Sequence, residues 1–90
     1  MNENTKVKFS IIVVSLNTKN FFLETIDSII NQSFDNYEII VVDGLSEDGT
    51  KDEILKKKKY FSHFIIERDK GIYDAMNKGI KLAQGEWLIF

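Results

Sequence analysis

YEIIVVDGLSEDGT, residues 37–50, decides the fold. Tyr37–Val42 ends in four consecutive β-branched residues, Ile39–Val42. An unbroken apolar run of this size is the pattern of a strand covered on both faces, as in a parallel sheet. The run stops at Asp43-Gly44, and a polar loop follows as far as Gly49. Asp48 is placed to cap a helix starting near Thr50, and Thr50 with Glu53 fits a capping box.

The same alternation extends in both directions. Upstream, FSIIVVSL (Phe9–Leu16) is a second buried-type strand. Phe22, Ile26, Ile29 and Ile30 then recur at helical spacing, with Asn20 as the N-cap candidate and a polar turn over Asn31–Asn36. Downstream, Ile54 and Leu55 are the main apolar pair of a second helix. Phe64–Glu67 is a short third strand. Ile72, Met76, Ile80 and Ala83 mark one face of a third helix, which Gly85 ends. Gly79 inside that helix costs about 1 kcal/mol relative to Ala, so a close approach to the sheet is expected there. Trp87–Phe90 opens a fourth strand, with Trp87 as a core aromatic. Strand and helix alternating in this way predict an α/β fold: a mostly parallel sheet with flanking helices and right-handed crossovers.

Composition narrows the function. The chain has 90 residues, 43% hydrophobic and 29% charged, which is one ordinary globular domain. A net charge of −2 argues against a nucleic-acid partner. The absence of cysteine excludes a disulfide framework and a thiolate metal site. Met1–Lys8 lacks the apolar run of a signal peptide, and no stretch approaches the ~20 apolar residues of a membrane span. The expectation is a cytoplasmic chain, with a peripheral seat on the inner face of the membrane as a variant of it. The last residues fall inside a buried-type strand, so the chain is expected to be a single but truncated domain. A sheet cut in this way would offer an unpaired edge for self-association.

In parallel α/β sheets, ligands bind beyond the carboxyl ends of the strands. That rule selects Asn17–Lys19, Asp43–Gly49 and Arg68–Gly71. Asp43 can accept hydrogen bonds from a base or a ribose; it can equally be half of a turn-forming Asp-Gly pair. Gly44 to Lys51 has the glycine spacing of a P-loop, but Thr50-Lys51 stands in reversed order, and Glu47 and Asp48 would put negative charge beside a phosphate. The P-loop reading is set aside. Arg68 and Lys70 could meet a diphosphate, or form a solvated charged turn with Asp69. Asp74 suits a helix N-terminus in any case, and Asn77 needs some reason other than helix propensity. Lys56–Lys59 reads as a solvated helix end, with a membrane-surface role as the sharper alternative. His63 reads as structural.

SIIVVSLN (Ser10–Asn17), EIIVVDGLSEDGT (Glu38–Thr50) and ERDKGIYDAMNKGIKLAQGEWLIF (Glu67–Phe90) together resemble family 2 glycosyltransferases of the GT-A fold. The similarity is greatest to the bacterial subgroup with a D-x-G-I-Y-D-A-M-N-x-G block, associated with polysaccharide or cell-envelope glycan assembly. The resemblance implies the Rossmann-like N-terminal half of that fold and a nucleotide-diphospho-sugar donor, usually a UDP-sugar. It also implies a glycan or lipid-linked acceptor. Ser15 and the Leu16–Asn17 backbone would line the nucleotide pocket, and Asp43 would take the base. Ser46 and Asp48 would stand beside the nucleotide or support its loop. Arg68, Asp69, Lys70 and Gly71 would close over the nucleotide-sugar, and Asp74 and Asn77 would hold the bordering helix. The family continues the fourth strand into an acidic motif that binds Mg²⁺ or Mn²⁺ on the diphosphate, and supplies a catalytic base later. This sequence carries neither, so sugar transfer by these 90 residues alone is not expected. A non-catalytic nucleotide-binding or interaction module is the alternative. A phosphoacceptor receiver domain is a third, disfavoured because Leu16-Asn17-Thr18 stands where paired acids would be needed.

Overall fold

The computed structural model describes residues 7, 9–32 and 36–90. The chain runs β1 (Phe9–Ser15), α1 (Lys19–Ile30), β2 (Tyr37–Asp43), α2 (Thr50–Lys56), a 3₁₀ turn (Lys58–Tyr60), β3 (His63–Ile66), α3 (Ile72–Leu82) and β4 (Trp87–Ile89). The strands form one sheet in the order β3-β2-β1-β4, parallel throughout. Of the turn expected over 31–36, residues 33–35 lie outside the described residues.

The β-branched runs behave as their pattern requires. Successive side chains point to opposite faces, so Ile11, Val13, Ile39 and Val41 meet Phe22, Ile26, Ile54 and Phe61 on the α1/α2 side. Ile12, Ile40 and Val42 meet Ala75 on the α3 side. Phe22 and Phe61 close the first layer edge to face, with centroids 6.5 Å apart. The chain steps from β1 to β2 to β3, then returns past β1 to place β4 on its far side. With right-handed crossovers, that reversal puts α3 on the face opposite α1 and α2. It also creates a switch point in the strand order between β1 and β4.

Two serine–acid pairs flank the apolar run and fix the β1–β2 register. Ser10 stands across from Glu38, and Ser15 across from Asp43. Ser10 Oγ donates to Glu38 at 2.7 Å, and Ser15 Oγ to Asp43 at 2.5 Å. Glu38 also accepts from the Ser62 hydroxyl at 2.8 Å and from the Gln84 N–H at 2.8 Å. One buried carboxylate thus clasps β1, the approach to β3 and the approach to β4. Burial alone would raise the Glu38 carboxyl. The Ser10 hydroxyl, the Gln84 N–H, the Ser62 hydroxyl and nearby His63 outweigh it and hold it below its ordinary 4.5.

Several local expectations are corrected. The α1 N-cap is Thr18, not Asn20, and its side chain makes no capping bond. Thr50 is the first residue of α2 rather than a cap, and Glu53 pairs with Lys56 instead of closing a box. Ile54 is buried while Leu55 is exposed, because this short helix turns only one stripe to the sheet. The third strand is shifted one residue, to His63–Ile66. The packed face of α3 is Ala75 and Gly79, with Ile72 and Ile80 exposed. The helix lies so close to β1 that a methyl on Gly79 would meet Ile12 Cγ2 at 2.5 Å, so small residues must face inward. Gly85 does not end this helix, which stops at Leu82. Gly85 lies against β1, where a Cβ would come within 2.8 Å of the Ser10 backbone nitrogen, and its N–H donates to Ser10 Oγ at 2.8 Å. Trp87 is 61% exposed rather than in the core, since β4 is an edge strand pairing only with Phe9–Ile11.

Two outcomes follow from this packing. Gly79→Ala should cost about 1–3 kcal/mol in urea unfolding, the usual penalty of overpacking, despite its better helix propensity. Gly85→Ala should cost more, because backbone rather than side chain stands in the way. For Glu38 the depressed native pKa sets the sign: its contribution is full above the unfolded value near 4.5 and is lost as pH falls through the lower folded value. Glu38→Gln should therefore lower stability at neutral pH by about 1–2 kcal/mol. The gap from the parent chain should narrow in urea titrations run at progressively lower pH.

Candidate functional site

At the carboxyl ends of β1 and β2 the backbone opens into two loops, residues 16–18 and 44–49, which are laced together. The Gly44 N–H donates to the Ser15 carbonyl at 2.9 Å. The Asn17 N–H donates to Ser46 Oγ at 2.8 Å, and the Glu47 N–H to Asn17 Oδ1 at 2.7 Å. Asn17 adopts the left-handed conformation (φ +54°), which its short polar side chain tolerates.

Asp43 is the hub. Its side chain is fully buried. Oδ1 accepts from the hydroxyls of Ser15, at 2.5 Å, and Ser46, at 2.6 Å, while Oδ2 accepts the Ser46 N–H at 2.8 Å. These three donors satisfy the buried carboxylate. The tight turn from Asp43 to Ser46 forces Leu45 into the left-handed region (φ +73°), a conformation that costs a leucine about 1–2 kcal/mol.

Asp48 joins the two helices. Its Oδ2 accepts the Lys19 N–H at 2.9 Å, and its Oδ1 accepts both the hydroxyl and the N–H of Thr50. One carboxylate thereby satisfies an orphan N–H at the start of α1 and another at the start of α2. The Thr50 hydroxyl above all, then the Lys19 and Thr50 N–H groups, hold the Asp48 carboxyl below its ordinary range. A shallow cleft of about 380 Å³, lined by Asn17, Thr18, Lys19, Asn20, Phe21 and Asp48, opens beside this junction.

The third segment reaches the same place from β3. Asp69 Oδ2 lies 3.0 Å from where a Gly44 Cβ would stand, and Leu16 Cδ1 lies 3.4 Å from it. The missing Gly44 side chain therefore leaves a notch that Asp69 and Leu16 fill. Asp69 Oδ1 accepts the Gly71 N–H at 3.2 Å, with Gly71 at φ +122°. Arg68 and Lys70 are exposed on this turn. Asp74 accepts the Lys70 N–H at 2.9 Å. That bond first, and then the Lys78 ammonium, keeps the Asp74 carboxyl low. Asn77 is exposed on α3.

Ser15, Asn17, Asp43 and Ser46 thus form one hydrogen-bonded group; Asp48 holds Lys19 and Thr50 beside it, and Leu16 and Asp69 meet at the Gly44 notch. Arg68, Lys70 and Gly71 border it. Lys78 was missed. Its Nζ, little exposed, meets Glu67 at 2.9 Å, the Arg68 carbonyl at 3.0 Å and Asp74 at 3.7 Å, so it fastens α3 to the turn. The hydrogen bond to Glu67, opposed by burial and aided by the charges of Glu67, Asp74 and Asp69, raises its pKa. The Asp74–Lys78 spacing of i, i+4 was the available signal.

A divalent cation needs several oxygen ligands not already engaged. Among the described residues, no group of three or more His, Cys, Asp or Glu side chains is placed to hold a metal. The carboxylates of Asp43 and Asp48 are occupied by N–H and hydroxyl donors. These residues do not fit a Mg²⁺ or Mn²⁺ centre. Among them, too, no helix is long and apolar enough to cross a membrane.

The architecture is an α/β fold with a four-stranded parallel sheet flanked by helices, and its structural neighbour is a GT-A glycosyltransferase. Residues 10–90 match glycosyl transferase family 2, and the chain belongs to that family. It is 39% identical over 89 residues to a PGL/p-HBAD biosynthesis glycosyltransferase of Mycobacterium bovis, an alignment covering 91% of this chain and 33% of the relative. It is 37% identical over 90 residues to the poly(ribitol-phosphate) beta-glucosyltransferase of Bacillus spizizenii, covering 93% of this chain and 14% of that protein. Among solved structures, the mannosyltransferase PcManGT from Pyrobaculum calidifontis, in complex with GDP-Man and Mn²⁺, superposes with a TM-score of 0.80 at 25% identity. That match covers 90% of this chain and 26% of PcManGT. The chain spans about a third of the length of the mycobacterial relative.

The double cap can be tested without a ligand. Asp48→Ala should accelerate amide exchange at Lys19 and Thr50 together, although 31 positions separate them in sequence. In the parent chain the Asp48 carboxyl should titrate below its ordinary 3.8 by carbon-detected NMR. Exchange changing at Thr50 alone would show that Asp48 caps only its own helix.

Proposed function

We propose that this chain forms the nucleotide-binding end of the donor site of a glycosyltransferase. The transfer takes a sugar from a nucleoside-diphosphate donor to an acceptor hydroxyl in bacterial polysaccharide or cell-envelope glycan assembly, at the cytoplasmic face of the membrane. The observation that carries this reading is the convergence of three strand ends on the Asp43 hub in a chain of this family.

In this reading the base and ribose lie against residues 15–17 and 43–46. Asp43 acts from beneath. Held by Ser15 and Ser46, it fixes the two loops that face the base, and Oδ2 keeps one lone pair to spare. Asp69, at the Gly44 notch, presents an acceptor to ribose hydroxyls or to base N–H groups. Arg68 and Lys70 lie toward the diphosphate, where a guanidinium offers a bidentate fork and an ammonium a point charge. Neutralising the leaving diphosphate with a metal and deprotonating the acceptor fall to residues outside this chain. The donor is a UDP-sugar in the reading from resemblance, while PcManGT holds GDP-Man, so the base is the first thing to measure.

Amide NMR of the chain, titrated separately with UDP, GDP and dTDP with and without Mg²⁺, tests the assignment. Shifts confined to residues 15–17, 43–46 and 68–71, with little Mg²⁺ dependence, are expected. Asp43→Ala should abolish them, because it removes the acceptor shared by the Ser15 hydroxyl, the Ser46 hydroxyl and the Ser46 N–H. A well-dispersed spectrum that does not respond to millimolar nucleotide would sink the reading.

A further inference from the structure

We infer that Lys78 is a positioning residue for the nucleoside-diphosphate donor: its ammonium holds the Arg68–Lys70 turn in the form that faces the donor. This deepens the donor-site reading above and rests on it. The turn leaves the sheet where the Glu67 N–H bonds the Asp43 carbonyl, at 3.0 Å, and enters α3 where the Ala75 N–H bonds the Gly71 carbonyl, at 3.1 Å. Between those two bonds, every hydrogen bond of Arg68, Asp69 and Lys70 among the described residues runs through a side chain. Lys78 Nζ donates to the Arg68 carbonyl at 3.0 Å, and the Lys70 N–H donates to Asp74 Oδ2 at 2.9 Å. Asp69 Oδ1 accepts the Gly71 N–H at 3.2 Å. A Cβ on Gly71 would meet nothing within 4 Å, so packing does not confine the turn there.

The surroundings of Lys78 show how it acts. An ammonium has three donors, and three acceptors face this one: Glu67 Oε2 at 2.9 Å, the Arg68 carbonyl at 3.0 Å and Asp74 Oδ2 at 3.7 Å. No donor is left for a ligand, so its effect on the donor passes through the turn. Folding as a whole gains little from these pairs. Glu67 is 57% exposed and Asp74 37%, and ion pairs so open to water contribute little to global stability. What they fix is local. Lys78 and Asp74, one helical turn apart on α3, grip the segment at Arg68 and at Lys70. On its other side, Asp69 Oδ2 lies 3.0 Å from where a Gly44 Cβ would stand, so the gripped turn rests against the loop after β2. Without the grip, Arg68 and Lys70 would have to be ordered as the diphosphate arrives, and that ordering weakens binding.

The test follows affinity, local order and global stability on the same variants of the 90-residue chain. Lys78→Met keeps an unbranched side chain and removes the charge. Its amides at 68–71 should lose heteronuclear NOE. Its Kd for whichever of UDP or GDP the parent binds should rise about tenfold, or ~1.4 kcal/mol, comparable to fixing the backbone of one residue. Its urea midpoint should stay at the parent value. Lys78→Arg, which keeps a charged N–H donor, should recover both the NOE and the affinity to within about threefold. Parent-like affinity in Lys78→Met would overturn the inference and leave the donor-site reading standing. A tenfold loss in Lys78→Arg with the turn still ordered would overturn it too, by showing that Lys78 itself meets the donor. A lowered urea midpoint in Lys78→Met would assign the lysine a structural role in the fold instead. A parent chain that binds neither nucleotide would overturn the donor-site reading, and this inference with it.

Discussion

Two carboxylates stand near the two ends of β2, and each is met by the serine directly across from it on β1. Everything else in the sheet is arranged around that constraint. Between the pairs lie only Ile11–Val14 and Ile39–Val42, apolar on both faces, which by themselves would tolerate a slip in register. A one-residue slip exchanges the faces of every side chain. Here it would also carry Glu38 and Asp43 away from their serines, leaving buried charge without donors, and that penalty is far larger than the packing differences between isoleucine and valine.

The two pairs point to opposite faces, because five residues separate them along each strand. Ser10–Glu38 faces the α3 side, where it collects the Gln84 N–H and so guides the chain into β4. Ser15–Asp43 faces the α1/α2 side, where it collects Ser46 and so shapes the loop into α2. The same chemistry therefore serves as a clasp at one end of the sheet and as the base of a crevice at the other. At the crevice end most donors and acceptors close to the backbone are already spent on loop-to-loop bonds. The side chains left exposed around these loops include Leu16, Leu45, Arg68 and Lys70.

The β-branched runs made the strands and their order of succession legible, and the strand-end rule selected three loops that lie together in the structure. Asp43, Ser46 and Asp48 were legible as polar residues at strand and helix ends, but their partners were not. Lys19 and Asp48, or Asn17 and Ser46, become neighbours only once β1 and β2 are known to be adjacent and in register. The packed face of α3 was misjudged for a definite reason. Periodicity weighs large apolar residues most, whereas a helix pressed against a sheet selects the smallest ones, Ala75 and Gly79. Trp87 was misplaced because an edge strand with three paired residues does not cover its own outward side chains. The handedness of Leu45 had no local signal, since it is imposed by the hydrogen bonds of its neighbours Asp43 and Ser46.

Asp43 also shows why a strand-end acid is a poor guide to which atom touches a ligand. Its position drew attention to a direct contact with the base, yet its side chain lies wholly below the surface. A carboxylate that already accepts three hydrogen bonds has little acceptor capacity left, so its influence on a ligand passes through the groups it fixes. Those groups are the Leu16–Asn17 and Gly44–Ser46 backbones, which cannot move independently while Ser15 and Ser46 share one oxygen of Asp43. Preorganisation of this kind lowers the cost of ordering the loops when a ligand arrives. A ligand at these strand ends would meet the groups that the fixed loops hold outward, not the buried acid itself.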